Sequence, residues 1–208
     1  GVMYYYTASP PPTPDTCLAF SSAEAFTVAP QETAWPGQLK YSTDKMTWAN
    51  FDLGGADAAY DAAAGEYRLY FRGRNNTHIA ENSSTLPWKI TTGGKVACFG
   101  NVEALLDYTV VADGGHPAMD AYCFASFFKD CQALASAPSL PALNLTNACY
   151  WGMFSGCTSL TNAPALPATT LASTCYRGMF WGCTNLTQAP ELPATNLANS
   201  CYYYMFNG

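Results

Sequence analysis

Charged side chains are scarce in this sequence, and what it lacks argues against several classes of protein. Asp, Glu, Lys and Arg make up only 12% of the 208 residues, against roughly a quarter in an average globular protein. The net charge of −6 argues against nucleic-acid binding, because phosphates require a basic surface. No apolar run reaches the length of about 18 residues that a membrane span requires. We therefore expect neither a nucleic-acid partner nor a membrane span.

The few charges that are present divide the chain into two parts. Residues 1–122 hold seven Lys and Arg and thirteen Asp and Glu, whereas residues 123–208 hold only Lys129, Asp130, Arg177 and Glu191. A shift of composition on this scale is typical of a domain boundary.

A repeat of 26 residues runs through the second part. Cysteines recur at this step as Cys123, Cys149, Cys175 and Cys201, and again as Cys131, Cys157 and Cys183. Phenylalanines and leucines keep the same register, at Phe128, Phe154, Phe180 and Phe206 and at Leu134, Leu160 and Leu186. Such a period predicts a leucine-rich-repeat solenoid, in which each unit packs on the next. Its strands should be very short, because the two prolines of each unit cannot donate ladder hydrogen bonds.

The repeated motif also resembles a known family. The run from Phe154 through Cys157 to Leu160, followed by Leu166-Pro167, is similar to the BspA-like, or treponemal-type, leucine-rich repeats of bacterial surface proteins. The likeness covers residues 123–208, although an extra Ala-Pro lengthens each unit. The resemblance implies a bacterial cell-surface or extracellular location, and adhesion to host proteins, other bacteria or glycans.

The first part of the chain reads as a series of short strands. Glu66–Phe71 alternates so that Tyr67, Leu69 and Phe71 share one face, and turn signals separate this segment from others like it. The spacing favours an antiparallel β-sandwich. The segment LKYSTDKMTWANF, followed by YRLYFRG, resembles the Ig-like modules that precede such repeats in bacterial surface proteins.

The expected fold class is therefore an Ig-like antiparallel β-sandwich followed by a leucine-rich-repeat solenoid. The expected boundaries are a Pro-rich arm or linker at 1–16, the sandwich at 17–98, a connector with a degenerate capping repeat at 99–122, and repeats at 123–148, 149–174, 175–200 and, in part, 201–208.

The repeated cysteines are best interpreted as structural. Two cysteines separated by seven residues of helix lie roughly 12 Å apart, which is too far for one zinc ion or one disulfide. Bridges between equivalent cysteines of neighbouring units stay open, although identical rungs offer no obvious pairing. We predict a ladder of buried thiols, since free cysteine is among the most buried residue types. Cys17 and Cys98, outside the repeats, are a possible disulfide.

Little in the sequence indicates catalysis, a metal or a cofactor. His116 could pair with Cys123 as a dyad, but Cys123 is one of four equivalent scaffold positions. Asp107, Asp113 and Asp120 lack the dense alternation of a calcium loop. We expect a non-enzymatic protein with no cofactor and no metal site.

The positions that vary between units are the candidates for recognition. Exposed Tyr, Trp and Arg dominate binding hot spots, and aromatic faces also stack on sugars. The candidate ligand-binding residues are Tyr150, Trp151, Tyr176, Arg177, Trp181, Tyr202 and Tyr203. The alternative for the tyrosines, and for Trp151 and Trp181, is packing between units.

The leading hypothesis is a secreted or surface-displayed adhesion protein that binds a host protein, a bacterial partner or a glycan. The alternative is a structural subunit that assembles with copies of itself into an extracellular filament, through an uncapped C-terminal repeat and the N-terminal arm. A weakly charged repeat surface fits both, because little like-charge repulsion opposes association.

Overall fold

The computed structural model describes residues 16–208, and these residues form a mostly β fold with two sheets and one helix. The strands are β1 (Leu18–Ser22), β2 (Phe26–Ala29), β3 (Gln38–Ser42), β4 (Ala49–Asn50), β5 (Ala56–Asp57), β6 (Ala59–Asp61), β7 (Glu66–Arg74), β8 (Lys89–Thr92), β9 (Val96–Gly100) and β10 (Leu134–Ser136). Helix α1 (Ala104–Ala112) contains a kink at Asp107, whose φ of −153° and ψ of 102° are not helical. All but the last residue of the predicted Pro-rich arm lies outside the described residues.

The larger sheet has seven strands, and β1 and β7 lie near its middle. Its order is β10-β9-β1-β7-β3-β4, and β6 pairs with the first residues of β7. Every pair is antiparallel except β9 with β10, which are parallel. The smaller sheet has the order β5-β2-β8. Because side chains alternate along a strand, Leu18 and Phe20 of β1 enter the main core, whereas Cys17 and Ala19 pack with Tyr70 on the opposite face.

A cluster of aromatic rings joins the sheets to the repeated segment. The ring of Trp88 lies 5.2 Å from that of Phe71 in the large sheet and 4.7 Å from that of Phe127 in the first unit. The backbone N–H of Ile79 donates to the Cys123 carbonyl, and that of Trp88 donates to the Phe127 carbonyl. In later units the equivalent carbonyls accept from the preceding unit. Residues 79–88 therefore cap the first unit.

The cysteine-containing part of each unit is a run of tight turns instead of a helix. Alternate N–H groups donate three residues back within the unit, and the others donate to the next unit. Examples of the second kind are Phe124 N to Cys149 O (2.8 Å), Ser126 N to Trp151 O (2.8 Å) and Phe128 N to Met153 O (2.9 Å). The units are therefore tied together along their backbones as well as through their side chains.

Every fourth residue of these turns adopts a left-handed conformation. In the second unit Ala148, Gly152 and Gly156 have φ values of 54°, 59° and 75°. The equivalent positions of the other units repeat the pattern, and glycine occupies many of them because it takes a positive φ without steric cost. The regular reversal prevents a continuous helix and turns alternate N–H groups toward the neighbouring unit.

Two ladders of stacked rings run through the units. One consists of Phe124, Tyr150, Tyr176 and Tyr202, with 5.8 Å between successive ring centroids. The other consists of Phe128, Phe154, Phe180 and Phe206, with spacings of 5.7, 5.7 and 5.5 Å. Successive rings are parallel within 13°, so each ring shares a large apolar face with its neighbours. This burial stabilises the contact between units.

The repeated cysteines lie beside these ladders as buried free thiols, at Cys123, Cys131, Cys149, Cys157, Cys175, Cys183 and Cys201. The Cys157 thiol donates to the Phe128 carbonyl at 3.0 Å, and the Cys183 thiol donates to the Phe154 carbonyl at 3.0 Å. Each of these thiols therefore adds a weak hydrogen bond to the preceding unit.

The predicted fold class, an Ig-like sandwich followed by a leucine-rich-repeat solenoid, is wrong. A leucine-rich repeat supplies one strand from each unit to a parallel sheet. In residues 16–208 the repeated segment supplies one strand, β10, and later units form only the isolated bridges Asn144–Thr170 and Asn162–Gln188. Prolines such as Pro164 and Pro167 have no backbone N–H group, so they cannot donate the hydrogen bonds on which such a sheet depends. The large sheet also takes β10 by parallel pairing, so it is not a self-contained antiparallel module.

The possible disulfide between Cys17 and Cys98 is not formed. Cys98 is a free thiol, and it lies opposite Phe20 in the register of β1 with β9. It therefore shares the core face with Phe20, whereas Cys17 belongs to the cluster on the other face of the sheet.

Within residues 16–208, no helix combines the length and the apolar character that a membrane span requires.

Candidate ligand-binding groove

Two tryptophans form the walls of a groove along the outer side of the repeated turns. Trp151 and Trp181 belong to successive units and flank a concave space of about 470 Å³, which we call the tryptophan groove. Trp181 is 50% exposed, and Trp151 is half-buried. The groove has the size range typical of small-ligand sites.

The floor of the tryptophan groove consists of glycine backbone. Gly152, Gly156, Gly178 and Gly182 line it, and all four have positive φ. A Cβ on Gly178 would lie 3.9 Å from Cε3 of Trp181, inside the groove. A Cβ on Gly156 would collide with Asp130. Because glycine has no side chain, the space between the two tryptophans stays open.

Polar groups stand along the same groove. Lys129 and Asp130 are exposed, and they bring one charge of each sign. The hydroxyl groups come from Ser83, Ser126 and Ser155. The groove therefore offers donors and acceptors between two aromatic surfaces, without a large net charge.

Trp151 also contacts side chains that do not line the groove. The Arg177 guanidinium lies 4.6 Å from the ring centroid of Trp151 and 5.0 Å from that of Tyr203. The Trp151 ring also stacks on Tyr122 at 6.2 Å. These contacts hold the Trp151 side chain in one orientation. A tryptophan fixed in this way loses little side-chain entropy when it binds a ligand.

The structure separates the predicted ligand-binding residues into two groups. Trp151, Arg177, Trp181 and Tyr203 are at least partly accessible, and of these Trp151 and Trp181 line the groove. Tyr150 and Tyr176 are buried, at 0% and 2% exposure, because their rings are members of the inner stack, and Tyr202 is half-buried in the same stack. The three inner-stack tyrosines therefore do not form part of the groove.

Some groove residues were not singled out from the sequence. Lys129, Asp130 and Ser126 belong to the first unit, and Ser83 comes from the capping segment. The position of Ser83 depends on tertiary packing and has no sequence signal. Lys129 does have a sequence signal. It occupies the same position of the repeat as Ser155, 26 residues later, and Trp181, 52 residues later, so this position varies between units.

A separate polar pair lies away from the groove. The Nδ1 atom of His116 is 2.8 Å from Oε2 of Glu103, whose side chain is 1% exposed. The other carboxylate oxygen, Oε1, is buried without a hydrogen-bond partner. His116 therefore pairs with Glu103, and Cys123 is fully buried, so the Cys–His dyad considered from the sequence is replaced by a Glu–His pair.

The Glu103–His116 pair predicts a pH-dependent stability. Burial raises the pKa of Glu103, and the hydrogen bond with His116 and its charge partly offset that rise. A raised pKa in the folded state means that stability is full below the unfolded value of about 4.5 and falls as the pH rises through the folded value. His116→Ala removes the hydrogen bond and the charge that lower the pKa of Glu103, and it leaves the buried Glu103 carboxylate without a hydrogen-bond donor. We expect a loss of about 1–3 kcal/mol at pH 8 and a smaller loss at pH 4.5, measured by urea unfolding.

His78→Ala is the matched control for this experiment. His78 also contacts a carboxylate, at 3.2 Å, but the Asp120 side chain is 60% exposed and can be solvated by water. His78→Ala should therefore lower the free energy of unfolding only slightly at both pH values. Equal losses for His116→Ala at pH 4.5 and pH 8 would contradict the role assigned to Glu103.

Among residues 16–208, no group of three His, Cys, Asp or Glu side chains is arranged to hold a metal ion. No protein-family model, no curated protein and no solved structure matches this chain.

Proposed function

We propose that this protein is a non-enzymatic binding protein, secreted or displayed on a cell surface, that holds a carbohydrate chain in the tryptophan groove. The observation that carries the proposal is the pair of tryptophan walls across a glycine floor. The resemblance of the repeat motif to bacterial surface proteins supports the extracellular location and an adhesive role.

The chemistry of the groove suits a sugar better than a protein surface. A sugar ring has an apolar face of C–H groups, which the electron-rich face of an aromatic ring attracts. The exposed ring of Trp181 offers such a face, whereas the ring of Trp151 already contacts Tyr122 and Arg177 and borders the ligand space. Its edges carry hydroxyl groups, which Lys129, Asp130 and the groove serines can hydrogen-bond. Stable protein–protein interfaces usually need about 800 Å² from each partner, whereas this groove is a narrow concave site.

Trp181→Ala should weaken glycan binding about tenfold, because truncation of a central aromatic anchor commonly costs about 1–2 kcal/mol or more. Trp151→Ala should weaken binding less, because Tyr122 and Arg177 already occupy its ring. A glycan array with the purified chain would identify a ligand, and isothermal titration calorimetry would give its Kd for the parent chain, Trp151→Ala and Trp181→Ala. Tyr60→Ala is a matched control, because Tyr60 is 58% exposed and lies on β6, away from the groove.

A second variant fills the groove without removing a wall. Ser155 lines the tryptophan groove and is the equivalent, one unit earlier, of Trp181. The turn at this position therefore accommodates a tryptophan, and Ser155→Trp should block the ligand while the fold is kept. Unchanged affinity in Ser155→Trp and in both alanine variants would overturn the carbohydrate proposal.

Self-association is the second candidate function. The rings of Tyr203, Tyr204 and Phe206 are between 43% and 51% exposed in the fourth unit, and apolar rings of this kind favour contact between copies. Sedimentation velocity at increasing protein concentration distinguishes the two functions. Ordered polymers that survive the groove variants would favour assembly, and a monomer that binds glycan would favour adhesion.

A further inference from the structure

A small basic cavity lies on the larger sheet, remote in sequence from the groove residues. Lys40 of β3 and Arg72 and Arg74 of β7 line it, together with Gln38 and Tyr108, and its volume is about 100 Å³. Lys40 stands directly opposite Arg72, and Gln38 stands opposite Arg74, in the register of the two strands. Since directly paired and alternate residues of a sheet point to one side, these four side chains share a face.

The sequence assembles this cavity through a close crossing of α1 and β7. A Cβ on Gly73 would collide with the Leu105 carbonyl of α1, so only glycine permits the approach. The same approach brings Tyr108 of α1 over Arg72, with 4.2 Å between the guanidinium carbon and the ring centroid. The residue that makes the crossing possible therefore lies between the two arginines.

Arg72 is held in a fixed orientation. Its guanidinium carbon also lies 3.9 Å from the ring centroid of Trp48. Two rings cannot lie this close to one face of a guanidinium, so Trp48 and Tyr108 cover its two faces. Only the in-plane N–H edge is left for hydrogen bonds, and Nε is buried without a partner. A fixed planar fork of donors matches the oxygen atoms of a phosphate or carboxylate.

The charges of this cavity are not neutralised within the described part of the chain. Arg68, which lies earlier on β7, pairs with Glu66 at 2.9 Å. By contrast, none of the ion pairs formed by residues 16–208 includes Lys40, Arg72 or Arg74. Three neighbouring cations are thus concentrated at one place on a chain whose net charge is −6. A bound anion would relieve the mutual repulsion of these cations.

We infer that the cavity binds a tetrahedral oxyanion, the sulfate or phosphate group of a small ligand. Its volume is well below the roughly 300 Å³ at which ordinary small-molecule pockets begin, so it takes one charged group and leaves the remainder of the ligand outside. A dianion compensates the three cations better than a carboxylate, which carries a single charge. The in-plane edge of Arg72 contacts two oxygens, and Lys40 and Arg74 contribute the remaining charge.

The test measures binding of inorganic sulfate, inorganic phosphate, glucose 6-sulfate, glucose 6-phosphate and acetate by calorimetry, at constant ionic strength. We expect saturable binding of the tetrahedral anions, and a loss of about tenfold in Arg72→Gln and in Lys40→Gln. Lys89→Gln is the matched control, because it removes the same charge from an exposed position on β8 in the smaller sheet. The affinity of Lys89→Gln for the tetrahedral anions should equal that of the parent chain.

Lys40→Gln and Arg74→Gln keep the experiment decisive if Arg72→Gln fails to fold. A preference for one of the two sugar esters supports the site and assigns its source as a sulfated or a phosphorylated ligand. Acetate binding as tightly as sulfate, an equal loss in Lys89→Gln, or no saturable binding of any of these anions would overturn the proposal. None of these outcomes depends on the tryptophan groove.

Discussion

Phe154→Ala is expected to destabilise the fold by about 3–5 kcal/mol, the range for truncation of a fully buried phenylalanine. The Phe154 side chain is 0% exposed. Its ring stacks on Phe128 and on Phe180, with centroids 5.7 Å away on both sides. Alanine would leave a cavity between two rings that the neighbouring units hold apart, so the site cannot collapse easily. Urea unfolding followed by tryptophan fluorescence measures the change.

Phe206→Ala is the matched control, because it removes the same side chain from the same ladder. Phe206 is 43% exposed and stacks on Phe180, so its truncation should cost less than about 1.5 kcal/mol. Similar losses for the two variants would show that the ladder does not carry the stability of the units.

Alkylation of Cys149 by iodoacetamide at pH 8 is expected to be about a thousandfold slower in the native protein than in urea. Thiolate is the reactive species, and burial raises the pKa of Cys149 from 9.0 to about 12. Three pH units correspond to about a thousandfold lower thiolate fraction. Cys175 and Cys183, whose pKa burial raises to about 11, should react faster than Cys149. Mass spectrometry of digested, time-resolved samples measures each site separately.

Thr169→Cys is the control for reagent access, because Thr169 is exposed in the same repeated segment. The introduced cysteine should react in the native protein at nearly its rate in urea. Equal native and denatured rates at Cys149 would contradict the buried ladder. Disulfide-linked units in freshly isolated protein would contradict it as well.

The arrangement of neighbouring units follows from the sequence to a useful extent. Side chains that recur every 26 residues, such as Phe154 and Phe180 or Cys157 and Cys183, do lie beside one another. The prediction succeeds because equivalent positions of successive units have the same surroundings and therefore favour the same residue type. A period alone does not specify the backbone conformation within a unit.

The backbone conformation within a unit depends in part on left-handed residues that are not glycine and so carry no sequence signal. Ala148, Thr174 and Ser200 have positive φ, although these residue types rarely adopt it. Their carbonyl and N–H groups take part in the backbone bonding of the turns, and these bonds offset the strain. The leucine-rich-repeat strand was expected from the spacing of leucines, but the turns and prolines leave only β10 as a regular strand in the repeated segment.

The two candidate sites differ in how far they could be predicted. Trp151 and Trp181 were identified because they vary at positions where the rest of the unit repeats. The basic cavity has no such signal, because Lys40, Arg72 and Tyr108 are distant in sequence and meet only where α1 crosses β7 at Gly73. Alternation along β7 shows which residues share a face, but not which helix packs beside them.

The constant offset between bonded units restricts how the length of this chain can change during evolution. The stacked rings and the backbone bonds between units find their partners in the adjacent unit at a fixed register, as with Phe128 and Phe154. Recombination that removes or duplicates one complete unit returns every group to an equivalent neighbour. A deletion of a single residue instead shifts both ring ladders and reverses which N–H groups point outward. Gene variants in this region should therefore differ by whole repeats, while small insertions should be confined to the loops between the turns.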